Sequence, residues 1–110
     1  LLDEELRRVS TDFAERVSAE VTNQLLSDLL GASLNEGERD AIIQGHVIQT
    51  HRARALIDTV RKKGPEASRI MIFHLERRDS TLHGHLGLPR IPTPQAAKIP
   101  QALKQETSLN

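Results

Sequence analysis

The sequence predicts an all-α fold, a six-helix antiparallel bundle followed by a proline-containing tail. Three observations predict it. Apolar residues recur at steps of three and four through most of the first 88 positions. Glycines and helix-capping residues interrupt that pattern at short intervals, and no stretch alternates apolar with polar as a strand does. No internal repeat is present.

The elements follow in order. Leu2, Leu6, Val9, Phe13 and Val17 form the buried stripe of a first helix. Val21, Leu25, Leu26, Leu29 and Leu30 do the same for a second, which stops at Gly31. Asn35 followed three residues later by Glu38 is a capping box opening a short third helix through Ile42 and Ile43, ended by Gly45. Thr50 caps a fourth helix, on which Ala53, Leu56, Ile57 and Val60 cover about 100° of the circumference. Arg61, Lys62 and Lys63 sit at its C-terminus, where the helix dipole favours cations. Gly64 breaks the helix, and Pro65 opens a fifth as its first residue, where the missing N–H costs nothing. The apolar run Ile70 to Phe73 marks that helix as the central, most buried one. Asp79 or Ser80 caps a short sixth around Leu82 and Leu86.

Composition bounds the function. A length of 110 residues allows one domain, assigned to residues 1–88. Residues 89–110 hold four of the five prolines (Pro89, Pro92, Pro94, Pro100) and are expected to form a linker or disordered tail. Phe13 and Phe73 are the only aromatics, so the core is aliphatic. With no cysteine, disulfides, thiol nucleophiles and zinc–thiolate sites are excluded within this chain. No apolar run approaches the roughly 20 residues that span a bilayer, and no signal peptide is visible, so a cytoplasmic module is expected. The net charge of zero conceals a polarity: residues 1–50 carry ten acidic and four basic side chains, residues 51–88 four acidic and eight basic. A neutral total speaks against a dedicated nucleic-acid binder, whereas separated charge suits docking on a like partner.

Particular residues carry a resemblance. Asn23-Gln24-Leu25-Leu26 through Leu29-Leu30, Arg54-Ala55-Leu56-Ile57-Asp58 with Val60, Lys63-Gly64-Pro65 with Ala67-Ser68, and Asp79, Leu82 and Leu86-Gly87-Leu88 fall where a caspase-recruitment domain of the death-fold superfamily has similar residues. In this combination Leu1 to Leu88 is most similar to the domains that precede inflammatory caspases of the interleukin-1β-converting type. The resemblance implies a module that polymerises through homotypic contacts with itself, or with the like domain of an inflammasome sensor, adaptor or caspase, in innate-immune, pyroptotic or apoptotic signalling. Clustering raises effective concentration without new chemistry.

The resemblance also implies where contact occurs: a basic surface on the first and fourth helices meets an acidic one on the second and third. Basic candidates are Arg54, Arg52 and Arg61, with Arg7 and Arg8 from the first helix. Acidic candidates are Asp28, Glu36, Glu38 and Asp40. Relatives often carry basic residues just before the first-helix Phe, where this chain has Ser10, Thr11 and Asp12.

Other readings compete. The same arginines fit a solvated helix face with internal pairs such as Arg54–Asp58, and the acids fit dipole partners. Arg61-Lys62-Lys63 with Arg69 suits either a dipole-matched helix end or an acidic glycolipid headgroup. His83 and His85 lack the spacing and cysteine partners of a zinc site, so no metal or other cofactor is expected; His74 is expected at the rim of the core, with pH sensitivity its contribution. No triad or glycine-rich phosphate loop is present, so no catalytic residue is assigned. Two alternatives stay within the family, the domain of a sensor or adaptor and a short decoy regulator. A third is a helical DNA-binding regulator with its recognition helix at Arg52–Lys63.

Overall fold

A computed structural model describes residues 1–92, which fold as six helices: α1 (Leu2–Arg16), α2 (Ala19–Asp28), α3 (Glu36–Gly45), α4 (Gln49–Lys62), α5 (Pro65–Arg78) and α6 (Ser80–His85). The expected all-helical bundle is present. Most of the expected tail, from residue 93 to 110, lies outside the described residues.

Local chemistry sets the helix ends. The Ser18 hydroxyl accepts from the Val21 N–H at 3.0 Å, satisfying an orphan donor of α2. Asn35 and Glu38 make the reciprocal capping box, at 2.7 Å and 3.0 Å. The Asp79 carboxylate accepts from the Leu82 N–H at 3.0 Å and starts α6. Between α4 and α5 the chain turns through Gly64 at φ +116°, a conformation L-residues avoid, and Pro65 opens α5.

Every helix contributes to one aliphatic core. The widest contact joins α1 to α4, where fully buried Leu6 and Phe13 oppose Ala53, Leu56, Ile57 and Val60, also fully buried. Each of these side chains larger than alanine contributes about 1.5–3 kcal/mol of transfer free energy. Helix α5 packs against α1, α2, α4 and α6, while α3 is held mainly by α4.

Three local expectations are corrected. Helix α4 begins at Gln49 with Ile48 as its N-cap residue and no side-chain cap; Thr50 is an exposed first-turn residue. On α2, Thr22 is fully buried and Val21 only half-buried. Thr22 is accommodated because its hydroxyl donates to the Ser18 carbonyl at 2.9 Å and accepts from Gln49 Nε2 at 2.8 Å. On α5, Met71 and Ile72 are buried but Ile70 and Phe73 are half-exposed. Four consecutive residues sweep most of a helical turn, so they cannot all face inward. The Phe73 ring instead stands edge-on to His74, with the Arg77 guanidinium 5.7 Å from its centroid.

Polar pins complete the packing. Gln49 Nε2 also donates to the Val17 carbonyl at 3.2 Å, joining α4 to the α1–α2 junction. Buried Ser33 donates to the Ala67 carbonyl at 3.0 Å and ties the α2–α3 turn to α5. Residues 89–92 lie against the last two helices. His83 Nε2 donates to the Pro89 carbonyl at 3.0 Å, Arg90 pairs with Glu76 at 3.1 Å, and Ile91 packs partly on the core.

Phe13→Ala is expected to destabilise the domain by about 3–5 kcal/mol in urea denaturation, and Phe13→Leu by less than about 1.5 kcal/mol. A loss below about 1 kcal/mol for the alanine variant would show that the α1–α4 seam is not the centre of the core.

Candidate interaction surfaces

Helix α4 divides its cations between two flanks. Arg54 and Arg61 lie seven residues apart on the flank facing α1, and Asp58 holds both: Arg54 Nε donates to Oδ2 at 3.2 Å and Arg61 Nε to Oδ1 at 2.9 Å. Arg54 Nη1 also reaches Thr11 Oγ1 on α1 at 3.3 Å. Thr11 is one of the positions where the resemblance leads one to expect a base, and here its hydroxyl accepts from a base of α4. Arg7 lies one turn before Thr11 and is exposed. Two cations around one carboxylate leave net positive charge on this ridge. Beside it, Arg54, Ala55, Asp58, His46 and His51 line a shallow recess of about 300 Å³.

Arg52 lies on the opposite flank. Its guanidinium donates to the His46 carbonyl at 3.0 Å and the Ile43 carbonyl at 2.9 Å, satisfying the end of α3. Arg8 belongs to a third place: it pairs with Glu5 at 2.7 Å and reaches the Leu86 carbonyl after α6 at 3.5 Å. The five basic candidates therefore split: Arg54 and Arg61 are gathered by Asp58, Arg7 is exposed on α1 one turn before Thr11, and Arg52 and Arg8 are turned elsewhere.

The acids split as well. Asp28 takes a bidentate pair from Arg78, at 2.7 Å and 2.8 Å, and lies 3.8 Å from His74. Glu38 caps α3 and pairs with Lys63 at 2.6 Å, bridging α3 to the end of α4. Both carboxyls are held below their ordinary range, Asp28 by Arg78 and Glu38 first by Lys63 and then by the Asn35 N–H. Glu36 and Asp40 are exposed one turn apart on α3, and Asp40 pairs only with adjacent Arg39, at 3.2 Å. Of the four acidic candidates, Glu36 and Asp40 are therefore the two not engaged in bridging helices.

Sequence reasoning did not single out His46 or His51 for this region, and it named Thr11 only as a position without the expected base. The Arg54–Asp58 spacing was legible as an intrahelical pair, but the reach to Thr11 depends on how α1 seats on α4. Among the described residues no group of three or more His, Cys, Asp or Glu side chains could hold a metal ion. Among them, too, no helix is long and apolar enough to cross a membrane.

These placements give two predictions. Arg52→Ala removes two charge-assisted bonds to helix-end carbonyls and is expected to cost about 1–3 kcal/mol of stability. Arg54→Ala, at an exposed site, should stay within about 0.5 kcal/mol in the same denaturation series. Equal losses for the two would contradict the division of α4. The second concerns pH. Burial pushes the His74 pKa down, partly opposed by Asp28, so the unfolded chain takes up the proton first. Stability is then complete above the ordinary histidine value of about 6.5 and falls as pH drops through the lowered folded value. Asp28 adds a loss at more acidic pH, as its depressed carboxyl is finally protonated. His74→Gln should flatten the first of these losses and Asp28→Asn the second, as read from melting temperature against pH.

A family model described as caspase recruitment domain matches residues 3–88. Among curated proteins the chain is 37% identical over 94 residues to caspase-1 of Mus musculus, covering 84% of this chain and 23% of that protein. It is 32% identical over 105 residues to caspase-1 of Rattus norvegicus, covering 94% of this chain and 26% of that protein. It is 33% identical over 94 residues to caspase recruitment domain-containing protein 17P of Homo sapiens, covering 84% of this chain and 86% of that protein. The chain thus spans about a quarter of the caspase-1 relatives and most of the third. No solved structure matches it. Domains of this kind are protein-interaction modules that pair with one another, and this chain, matched over nearly the whole of its described length, belongs to the caspase recruitment domain family.

Proposed function

We propose that this domain polymerises head to tail and, by docking on like domains of an inflammasome sensor, adaptor or caspase, gathers inflammatory caspases for activation. The basic ridge of Arg7, Arg54 and Arg61 on one copy meets Glu36 and Asp40 on the next. The observation that carries this reading is the division of charge: of the nine charged candidates, Arg52, Asp28 and Glu38 are engaged in holding helices together. The ridge and the α3 acids present opposite signs outward on different elements. A contact between unlike patches leaves each copy with one of each still open, so repetition extends instead of closing. Opposed charges also speed and orient the encounter, with an expected weakening in salt.

A second reading is favoured by the relative of which this chain covers 86%. On this reading the domain caps the ends of a growing assembly instead of recruiting a protease to it. Substoichiometric addition to polymerising like domains separates the two: a recruiting domain is incorporated and growth continues, whereas a capping domain arrests it.

The ridge is tested by charge reversal. Arg54→Glu is expected to abolish filaments by electron microscopy while leaving helicity and melting nearly unchanged, and Asp40→Arg to do the same. Mixing the two variants should restore assembly in part, because reversed charges then face each other. Undiminished polymerisation by Arg54→Glu would refute the assigned surface. Salt-dependent binding of duplex DNA, without filaments, would point instead to a nucleic-acid function.

A further inference from the structure

Among the described residues the exposed large hydrophobic side chains are Leu1 at the chain start and a cluster at one corner of the bundle: Ile43, Val47 and Ile48, at 36%, 88% and 59% exposure. The cluster spans the end of α3, the connection and the N-cap of α4. Grouped apolar side chains on an outer surface mark a place that another surface covers. Nothing in the local fold requires them. Arg52 already satisfies the carbonyls at the end of α3, and Ile48 caps α4 without a side-chain hydrogen bond.

The charges at its edges indicate what covers it. On α3, Asp40 lies one turn before Ile43 on the same exposed stripe. On α4, His51 lies one turn after Ile48 and shares a recess with Arg54. The surface therefore runs from the Asp40 carboxylate, beside Arg39, through the apolar corner to the Arg54 guanidinium, beside Asp58. Such a surface is complementary to itself when turned by a two-fold axis through its centre. The apolar corner then meets its own copy, and Asp40 of each chain faces His51 and Arg54 of the other, twice over. A wholly acidic or basic partner would satisfy one edge and oppose the other.

We propose that the α3–α4 corner is a two-fold docking surface for a second copy of this chain. The contact closes on itself, so it gives dimers and not filaments. It also covers Asp40 and Arg54, so the dimer competes with head-to-tail growth wherever that growth occurs. The dimer itself does not depend on filaments forming.

The absence of cysteine from the chain allows a direct test. A two-fold axis at the corner brings position 47 of each copy together, so oxidation of Val47→Cys is expected to cross-link dimers at least about tenfold faster than Glu15→Cys, an exposed site on α1. Sedimentation equilibrium, below the concentration at which filaments form, is expected to show wild-type dimers. Val47→Asp with Ile48→Asp should raise their dissociation constant at least about tenfold, with helicity unchanged. Both positions are exposed, so the fold should tolerate the change. Equal cross-linking at positions 47 and 15, a monomeric wild type, or an unweakened double variant would each overturn the proposal. Cross-linking at position 47 in a chain that, with its charged ridge intact, forms no filaments at any concentration would sink the head-to-tail reading and leave this one standing.

Discussion

The seam between α1 and α4 is the constraint on which the rest of the domain depends. It is aliphatic apart from Phe13, and it buries one face of each helix completely. With two aromatics in the whole chain, no large ring elsewhere can replace that packing. Seating α4 on α1 brings Arg54 within reach of Thr11 and leaves Arg54 exposed beside the joint, with Arg61 two turns on and half-buried. It also turns the opposite flank of α4 toward α3, which is otherwise weakly held. Arg52 and Lys63 then fasten α3 at its C-terminal end and its first turn.

Charge therefore has two uses in one small fold. Pairs that cross between helices, such as Arg78–Asp28 and Lys63–Glu38, tie secondary elements to one another. Pairs within α4 do something else. Asp58 fixes two guanidinium groups without neutralising both, so the ridge stays positive while its side chains lose less freedom when a partner arrives. The acids of α3 keep their charge outward because Glu38, and not Glu36 or Asp40, is drawn into the capping box. Helix capping thus decides which carboxylates of α3 stay unengaged.

Much of the fold was legible because the signals were local. The capping box at Asn35, the Gly64-Pro65 break and the apolar stripe of α1 each involve residues within a turn of one another. Where the sequence misled, a distant group was decisive. Thr22 is buried because Gln49, 27 residues away, supplies its partner. Ile70 and Phe73 read as core because a continuous apolar run does not say which of its members face inward. The candidate surface divides in the same way. Arg54 and Arg61 shared a helical flank by spacing alone, but nothing in the sequence marked Arg52 as the keeper of α3 or Asp28 as the partner of Arg78, 50 residues on. Family resemblance supplied the helices on which a contact is expected; only the packed bundle separates charges that hold it together from those that face outward.

The most direct test of this account is a cryo-electron-microscopy reconstruction of the assembled domain. It should place Arg54 of one copy within hydrogen-bond distance of Glu36 or Asp40 of the next, with Arg52 still bound to the carbonyls of its own α3. A repeating contact built from α5 and α6, or one in which Arg52 leaves α3 to reach a neighbour while Arg54 faces solvent, would contradict it.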